Sequence, residues 1–459
     1  MKGDEAQRLK AQAKAFLEAS PDVKFVDAFM ADLNGVLRGK RIPAKNALKV
    51  FDGGLRLPRS LVGVDIWGTD VFDNGLVLDT GDSDGSCAPV GDGLIPMPWA
   101  DVPSAQVMVM MREADGAPFG ADPRQLLITL AERFAAKGLT PVAAFEMEFY
   151  LLSRESDERG RPLTPPSAFG GKRVFDGRVY AMSELDAYGE FFAKLYETCA
   201  AQGLPLDTAV VEAGPGQFEV NLKHQGDPVR VADQAILLRR AIKGVAASFG
   251  WIAAFMAKPF GTLPGNGMHV HMSLVDKKGA NAFDDGGDKG SALLRNAVAG
   301  LIETAPEAMI FFAPHLNSMR RFQEGSHAPT RAAWGYENRT ASIRIPTDVG
   351  ANRRVEHRVA GADANPYLVM AALLGGALHG IENSLEPPPP LEGNAYEGDA
   401  PKLPNDWRGA LNAFSNGKVL APLFGELFTR VYSACKRQEI ATAAQRVTDF
   451  EYESYLETF

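Results

Sequence analysis

Polar residues recur at every second position in five short segments of this chain, and each segment fits the two-residue period of a β-strand. In 145–149, Phe145, Met147 and Phe149 share one face while Glu146 and Glu148 share the other. In 217–221 the shared polar face is Gln217, Glu219 and Asn221, with Glu212 just upstream across a Gly-Pro-Gly turn. The same arithmetic aligns His269, His271 and Ser273, then Thr340, Ser342 and Arg344, then Arg354, Glu356 and Arg358. A half-exposed sheet shows such alternation with solvated polar residues of any kind. Here the faces hold carboxylates, imidazoles and arginines almost exclusively.

The rest of the pattern frames these strands. Residues 1–20 read as an amphipathic helical arm. From 21 to 117, short strand-like runs such as Val26–Met30 and Gly75–Leu78 alternate with Gly and Asp turns, which predicts a small β-rich domain. A helix is expected over 121–137, with Asp122-Pro123 at its start. It leads into a larger α+β region, 118–459, that ends in helices near 407–414 and 425–445. Pro387–Pro390 form a rigid surface connection. The apolar stretches Val245–Ala257 and Leu368–Leu378 are too short to span a membrane and read as buried structure.

Composition narrows the function classes. With 459 residues, 46% hydrophobic and 23% charged, the chain has material for a large core. A net charge of -9 argues against duplex nucleic acid or an anionic membrane as partner. Cys87, Cys199 and Cys435 are scattered and lack metal-site spacing, so they read as reduced thiols of a cytoplasmic protein. The polar start Met1–Glu5 has no apolar signal core.

Carboxylates crowded on one face repel unless cations neutralise them. An oxygen-rich set with an occasional imidazole suits magnesium or manganese better than zinc. Arginines facing the same space can clamp phosphate or carboxylate in bidentate fashion. Carboxylate–metal plus arginine–phosphate is the equipment of phosphoryl transfer. Neither a GxxxxGK[ST] loop nor a GxGxxG turn is present, so any nucleotide is held by another architecture.

Longer motifs carry a resemblance. Glu146-Met147-Glu148, the run Gly265–Ser273, the run Glu337–Pro346, Asn317–Arg321 and Asn365-Pro366-Tyr367 are similar to glutamine synthetase signatures. The likeness extends from Asp32–Gly35 to Asp449–Glu451. It implies an N-terminal β-grasp domain, a catalytic domain whose curved antiparallel sheet forms a funnel, and homo-oligomeric rings, usually dodecamers, with sites completed by a neighbour. It implies ATP and Mg2+ or Mn2+ as cofactors. Glu148, Glu212 and Glu219 would hold one metal, and Glu146, His269 and Glu356 a second. Asp207, His271, Ser273, Arg344 and Arg354 would serve the nucleotide, with Arg339, Arg344 and Arg358 around the transferring phosphate and Arg321 on glutamate. The reaction implied is activation of glutamate as γ-glutamyl phosphate, followed by attack of an amine.

Two departures bear on that amine. In glutamine synthetases proper, a flap Glu helps bind and deprotonate ammonium, and His327 stands in its place. A second ammonium ligand, an Asp from the neighbour's N-terminal domain, corresponds to Leu57-Pro58-Arg59-Ser60-Leu61, which has no acid. An ammonium ion needs carboxylates for its four donors, whereas an alkylamine needs room and a base, a role open to neutral His327. Pro264 also replaces an Asn that helps hold glutamate. The runs 32–40, 256–260 and 393–396 resemble the γ-glutamylpolyamine synthetase branch. The expectation is a glutamate–amine ligase acting on putrescine, another polyamine or a small alkylamine, with ammonia the alternative. Tyr396 is expected to be a structural loop residue.

Overall fold

In the computed structural model, which describes residues 3–165, 173 and 177–459, the helix Gly3–Ala19 precedes a hairpin whose turn is set by one side chain. Asp32 Oδ1 accepts the N–H groups of Asn34 and Val36, each at 2.9 Å. Gly35 takes φ +74°, a left-handed conformation that a side chain disfavours. The turn joins β1 (Phe25–Ala31) to β2 (Leu37–Pro43). With β3 (Arg56–Pro58), β4 (Asp84–Pro89), β5 (Ile95–Pro96) and β6 (Ser104–Arg112) they form a six-stranded sheet, β2-β1-β6-β4-β3, with β5 on β6. β1 and β6 run parallel, and β6 is buried along nearly its whole length, as a central strand covered on both faces should be. The expected strand at Gly75–Leu78 is instead a turn. Asn74 Oδ1 captures the Leu76 N–H at 2.7 Å, Thr80 donates to the Leu76 carbonyl at 2.5 Å, and Leu78 is exposed. Three apolar residues after an Asn-Gly pair are too few to outcompete that local bonding.

The second sheet has eight strands: β7 (Leu139–Ser153), β8 (Leu206–Val211), β9 (Gln217–Leu222), β10 (Trp251–Ala254), β11 (Met268–Asp276), β12 (Trp334–Tyr336), β13 (Ile343–Ile345) and β14 (Val355–His357). Their order is β12-β13-β14-β11-β7-β9-β8, with β10 on β7, and the sheet curls nearly into a barrel. Every pairing is antiparallel except β12 with β13. The apolar faces of these strands join a core with the helices Pro123–Ala136, Pro228–Ser248, Ala292–Phe312 and Pro366–Glu382. Asp122 caps the first of these, accepting from Arg124 N and Gln125 N ahead of Pro123. The stretch 245–257 divides into a helix end, a turn at Gly250 and β10, while 368–378 lies inside the buried helix Pro366–Glu382.

The C-terminal helix Glu426–Ala444 returns to the first hairpin. Lys436 and Glu439, both fully buried, pair at 2.8 Å, and Glu439 also accepts from Asn34 Nδ2 and Ile66 N at 2.8 Å each. This charged knot fastens the chain's last long helix to its first turn.

Candidate active site on the curved sheet

Directly opposed residues of antiparallel strands face the same way, so register decides which side chains meet. His269 of β11 opposes Glu146 of β7, and Glu146 opposes Asn221 of β9. Glu148 opposes Glu219. Glu356 of β14 lies between His271 of β11 and Arg344 of β13. The acids, imidazoles and arginine named from the alternation are thereby gathered on one concave face.

Two groups of ligand-capable atoms lie within 4.8 Å of one another: Glu146, His269 and Glu356, and Glu148, Glu219 and His269. The first is the trio expected for one metal. The second holds Glu148 and Glu219 of the other expected set and brings His269 to them. Glu212 follows β8 in the turn toward β9 and lines the same cavity without joining either group. His269 Nδ1 is 3.3 Å from Glu146 Oε2, and its Nε2 is 3.9 Å from Glu148 Oε1, so the ring sits between the groups.

The electrostatics split the acids into two kinds. Burial would raise the Glu146 carboxyl, but bonds from the His269 and His271 rings hold it well below its ordinary range. Burial likewise opposes ionisation of Glu356, yet Arg358 and the two histidines bring it down to about 2. Arg344 Nη1 donates to Glu356 Oε2 at 2.6 Å, and Arg358 pairs with the other oxygen. Glu212 goes the other way: burial first, then the charge of Glu148, push it up to about 7. Burial and the charges of Glu146, Glu148 and Glu212 drive Glu219 well above the usual carboxylate range. Acids that protein cations do not neutralise, beside one imidazole, fit a divalent cation that prefers oxygen. Glu146, Glu148, Glu219, Glu356 and His269, with Glu212 on the same cavity wall, are the residues that could hold it.

These side chains floor a cavity of about 730 Å³, whose walls include Arg321, Arg339, Arg344, Arg358, Lys258 and His327. His327 is exposed at φ +59°, on the segment after Arg321 that also brings Glu324 to the cavity. Tyr396 is buried, and its hydroxyl donates to the Ala328 carbonyl at 3.1 Å, fixing the base of that segment.

Of the residues expected at the nucleotide, Arg344 alone lines this cavity. His271 lies behind Glu146: Arg354 Nε donates to its Nδ1 at 3.0 Å, which leaves Nε2–H for Glu146 Oε1 at 2.7 Å. Ser273 is buried two residues farther along β11, about 7 Å on. Asp207 is exposed on β8, its carbonyl accepting from the Tyr196 hydroxyl at 2.9 Å. The alternation drawn through Thr340 and Ser342 fails, because β13 begins only at Ile343. Thr340 sits in a turn bonded to Asn338, and Ser342 Oγ exchanges hydrogen bonds with the Ala333 backbone. Three further residues escaped the alternation because they precede strands or lie off them. Gly267 packs against Arg321, His269 and Glu148, Lys258 lines the cavity, and Glu337 accepts from Arg344 Nη2 at 2.7 Å.

The catalytic-domain model of glutamine synthetase matches residues 120–455. The chain belongs to the glutamine synthetase family. Family members of known activity are carbon–nitrogen ligases that use ATP and divalent metals, and this chain is a carbon–nitrogen ligase of that kind. It is 40% identical to gamma-glutamylputrescine synthetase PuuA of Escherichia coli (strain K12), over 96% of this chain and 93% of that protein. It is 33% identical to a glutamate–isopropylamine ligase of Pseudomonas sp, over 93% of each. A glutamine synthetase of Pyrococcus abyssi is 30% identical over 97% of this chain and 99% of its own. Among solved structures, a GmaS/ADP complex superposes with a TM-score of 0.83 at 27% identity, covering 98% of this chain and 99% of that one. No helix among the described residues is long and apolar enough to cross a membrane.

Proposed function

We propose that this enzyme joins the γ-carboxylate of glutamate to an alkylamine or diamine, with putrescine the leading candidate, at the expense of ATP. The observation that carries the choice of amine is His327. It lines the cavity on the segment where ammonia-using relatives, by resemblance, carry a flap acid. The stretch 57–61 adds to it, since Arg59 there offers a guanidinium already committed to Glu113 at 2.6 Å. The relatives that act on putrescine and isopropylamine support the same reading.

The carboxylate oxygen of glutamate attacks the γ-phosphorus of ATP, and ADP departs. Arg339, Arg344 and Arg358 offset the charge on the phosphoryl group in flight. Glu146, His269 and Glu356, and Glu148, Glu212 and Glu219, would hold divalent cations, which would supply further charge neutralisation. Arg321 orients glutamate. His271, Ser273, Asp207 and Arg354 serve the nucleotide farther along β11 and β8. The amine lone pair then attacks the acyl carbon, His327 accepts its proton, and phosphate leaves. Residues 1–20 form an arm, 21–117 a β-grasp domain and 118–459 the catalytic domain. The N-terminal domain completes a neighbour's site in a dodecameric ring, so the active protein runs as a large oligomer by light scattering.

Ammonia is the second reading, because Glu324 lines the same cavity and offers a carboxylate. A panel of amines assayed by glutamate-dependent phosphate release separates the two. Putrescine or an alkylamine should show the highest kcat/KM at matched free-base concentration. Equal or better use of ammonia overturns the proposal.

A further inference from the structure

The segment between Arg321 and Ala328 brings two exposed residues, Glu324 and His327, to the cavity. Both ends of the segment are buried. At the first, Arg321 Nη1 donates to the Val359 carbonyl at 2.8 Å. In between, the bonds are local: Ser326 Oγ donates to the Gln323 carbonyl at 2.6 Å, and Gln323 Nε2 to the Arg320 carbonyl at 3.0 Å. His327 holds φ +59°, a left-handed conformation that a residue with a side chain keeps only where its surroundings impose it. Whatever fixes Ala328 therefore fixes the direction in which the imidazole leaves the chain.

Tyr396 fixes Ala328. The ring is buried, and its hydroxyl donates to the Ala328 carbonyl at 3.1 Å. Burial raises the phenol above its ordinary pKa, so it keeps the hydrogen it donates. The loop around Tyr396 is bonded on two sides. On the side of Ala328, Arg331 Nε donates to the Tyr396 carbonyl at 3.1 Å and Arg331 Nη1 to the Ala400 carbonyl at 2.8 Å. The Leu403 N–H donates to the Thr330 carbonyl at 3.0 Å, and the Ala332 N–H to the Pro401 carbonyl at 2.8 Å. On the other side, Asn338 Nδ2 donates to the Gly393 carbonyl at 2.9 Å, and the Ala395 N–H to Thr340 Oγ1 at 3.0 Å. Arg339 lies between those two residues and lines the cavity, and its carbonyl accepts from Arg358 Nε at 3.2 Å. One loop, 391–403, thus joins the backbone beside Arg339 to the backbone beside His327.

We infer that Tyr396 is a positioning residue for the amine step, its hydroxyl holding the Ala328 carbonyl so that His327 stays aimed into the cavity. The inference rests on the proposal that His327 accepts the amine's proton. If the ring served packing alone, the hydroxyl would be dispensable. Without that bond the backbone one residue from His327 is free to rotate, and a displacement approaching 1 Å at a reacting group costs up to about 100-fold in rate.

The test is a double-mutant cycle in the full-length enzyme: Tyr396→Phe, His327→Ala and both together. The assay is glutamate-dependent phosphate release with putrescine, or with the amine that the panel ranks above it. Tyr396→Phe should lower kcat/KM for the amine about tenfold when His327 is present. In the His327→Ala background the same change should cost less than about twofold, because residues that act through one another are not additive. KM for ATP and for glutamate should stay within about twofold, since their binding groups do not move. Hydrogen exchange supplies a measurement that needs no turnover. Amides of 323–328 should exchange at least about tenfold faster in Tyr396→Phe, while the helix Ala292–Phe312 keeps its wild-type rates. Equal losses in both backgrounds make the hydroxyl a general structural bond and overturn the inference, as do wild-type kcat/KM or unchanged exchange in Tyr396→Phe. A His327→Ala enzyme as active as wild type is a different result, which removes His327 as the base and the inference with it.

Discussion

Gly267 makes the sharpest test of whether the three groups around it must converge. A Cβ added there would lie 2.7 Å from Arg321 Nη2, 2.9 Å from His269 Nε2 and 3.2 Å from Glu148 Oε1. Ordinary contact begins near 3.4 Å, so Gly267→Ala drives the guanidinium back by about 0.7 Å and the imidazole by about 0.5 Å. All three are ends of side chains and can retreat. The fold should therefore survive, with a loss of about 1–2 kcal/mol from overpacking. The chemistry should not survive so well, because a displacement approaching 1 Å among positioning groups costs about 100-fold in rate. The Gly267 N–H also donates to Glu148 Oε2 at 2.7 Å, so any backbone shift moves that acid too. The assay is phosphate release with glutamate and the preferred amine, beside a thermal melt. Gly261→Ala is the control, since a Cβ there meets nothing within 4 Å. A folded Gly267→Ala enzyme retaining more than about a fifth of wild-type kcat/KM would refute the claim that Arg321, His269 and Glu148 act as one tightly placed set.

Three further outcomes are expected. In EDTA the melting temperature should fall as pH rises from about 4.5 toward about 7, since burial and then Glu148 raise the Glu212 carboxyl from its ordinary 4.5 to about 7. Over that window the folded chain holds a proton that the unfolded chain has released, so stability declines with pH, and excess Mg2+ should flatten the decline; a flat profile in EDTA argues against crowded acids. His327→Glu should shift kcat/KM toward ammonia and away from the alkylamine, and an unchanged ratio would remove His327 from amine selection. Lys436→Met should cost about 3–5 kcal/mol in urea unfolding, because Glu439 is left buried without its cation, and a loss under about 1 kcal/mol would show that Asn34 and Ile66 alone satisfy that carboxylate.

The alternation of side chains along a strand is a local property, and it was legible in the chain. It put Glu146 with Glu148, and His269 with His271, on one face before any neighbour was known. Fold class was legible too, through motifs long enough to identify a family. Register was not, because it depends on which strands pair and where, across more than a hundred residues. Only the assembled sheet sets Glu356 between His271 and Arg344, and Glu148 against Glu219. That assembly adds His269 to Glu148 and Glu219, with Glu212 close enough to feel their charge, and it places Thr340 and Ser342 in local backbone bonding instead of on the polar face. Gly267 carries no period at all. Its significance comes from close approach, a glycine with no room for a methyl group. Alternation says which way a side chain points, and only packing in three dimensions says what it meets.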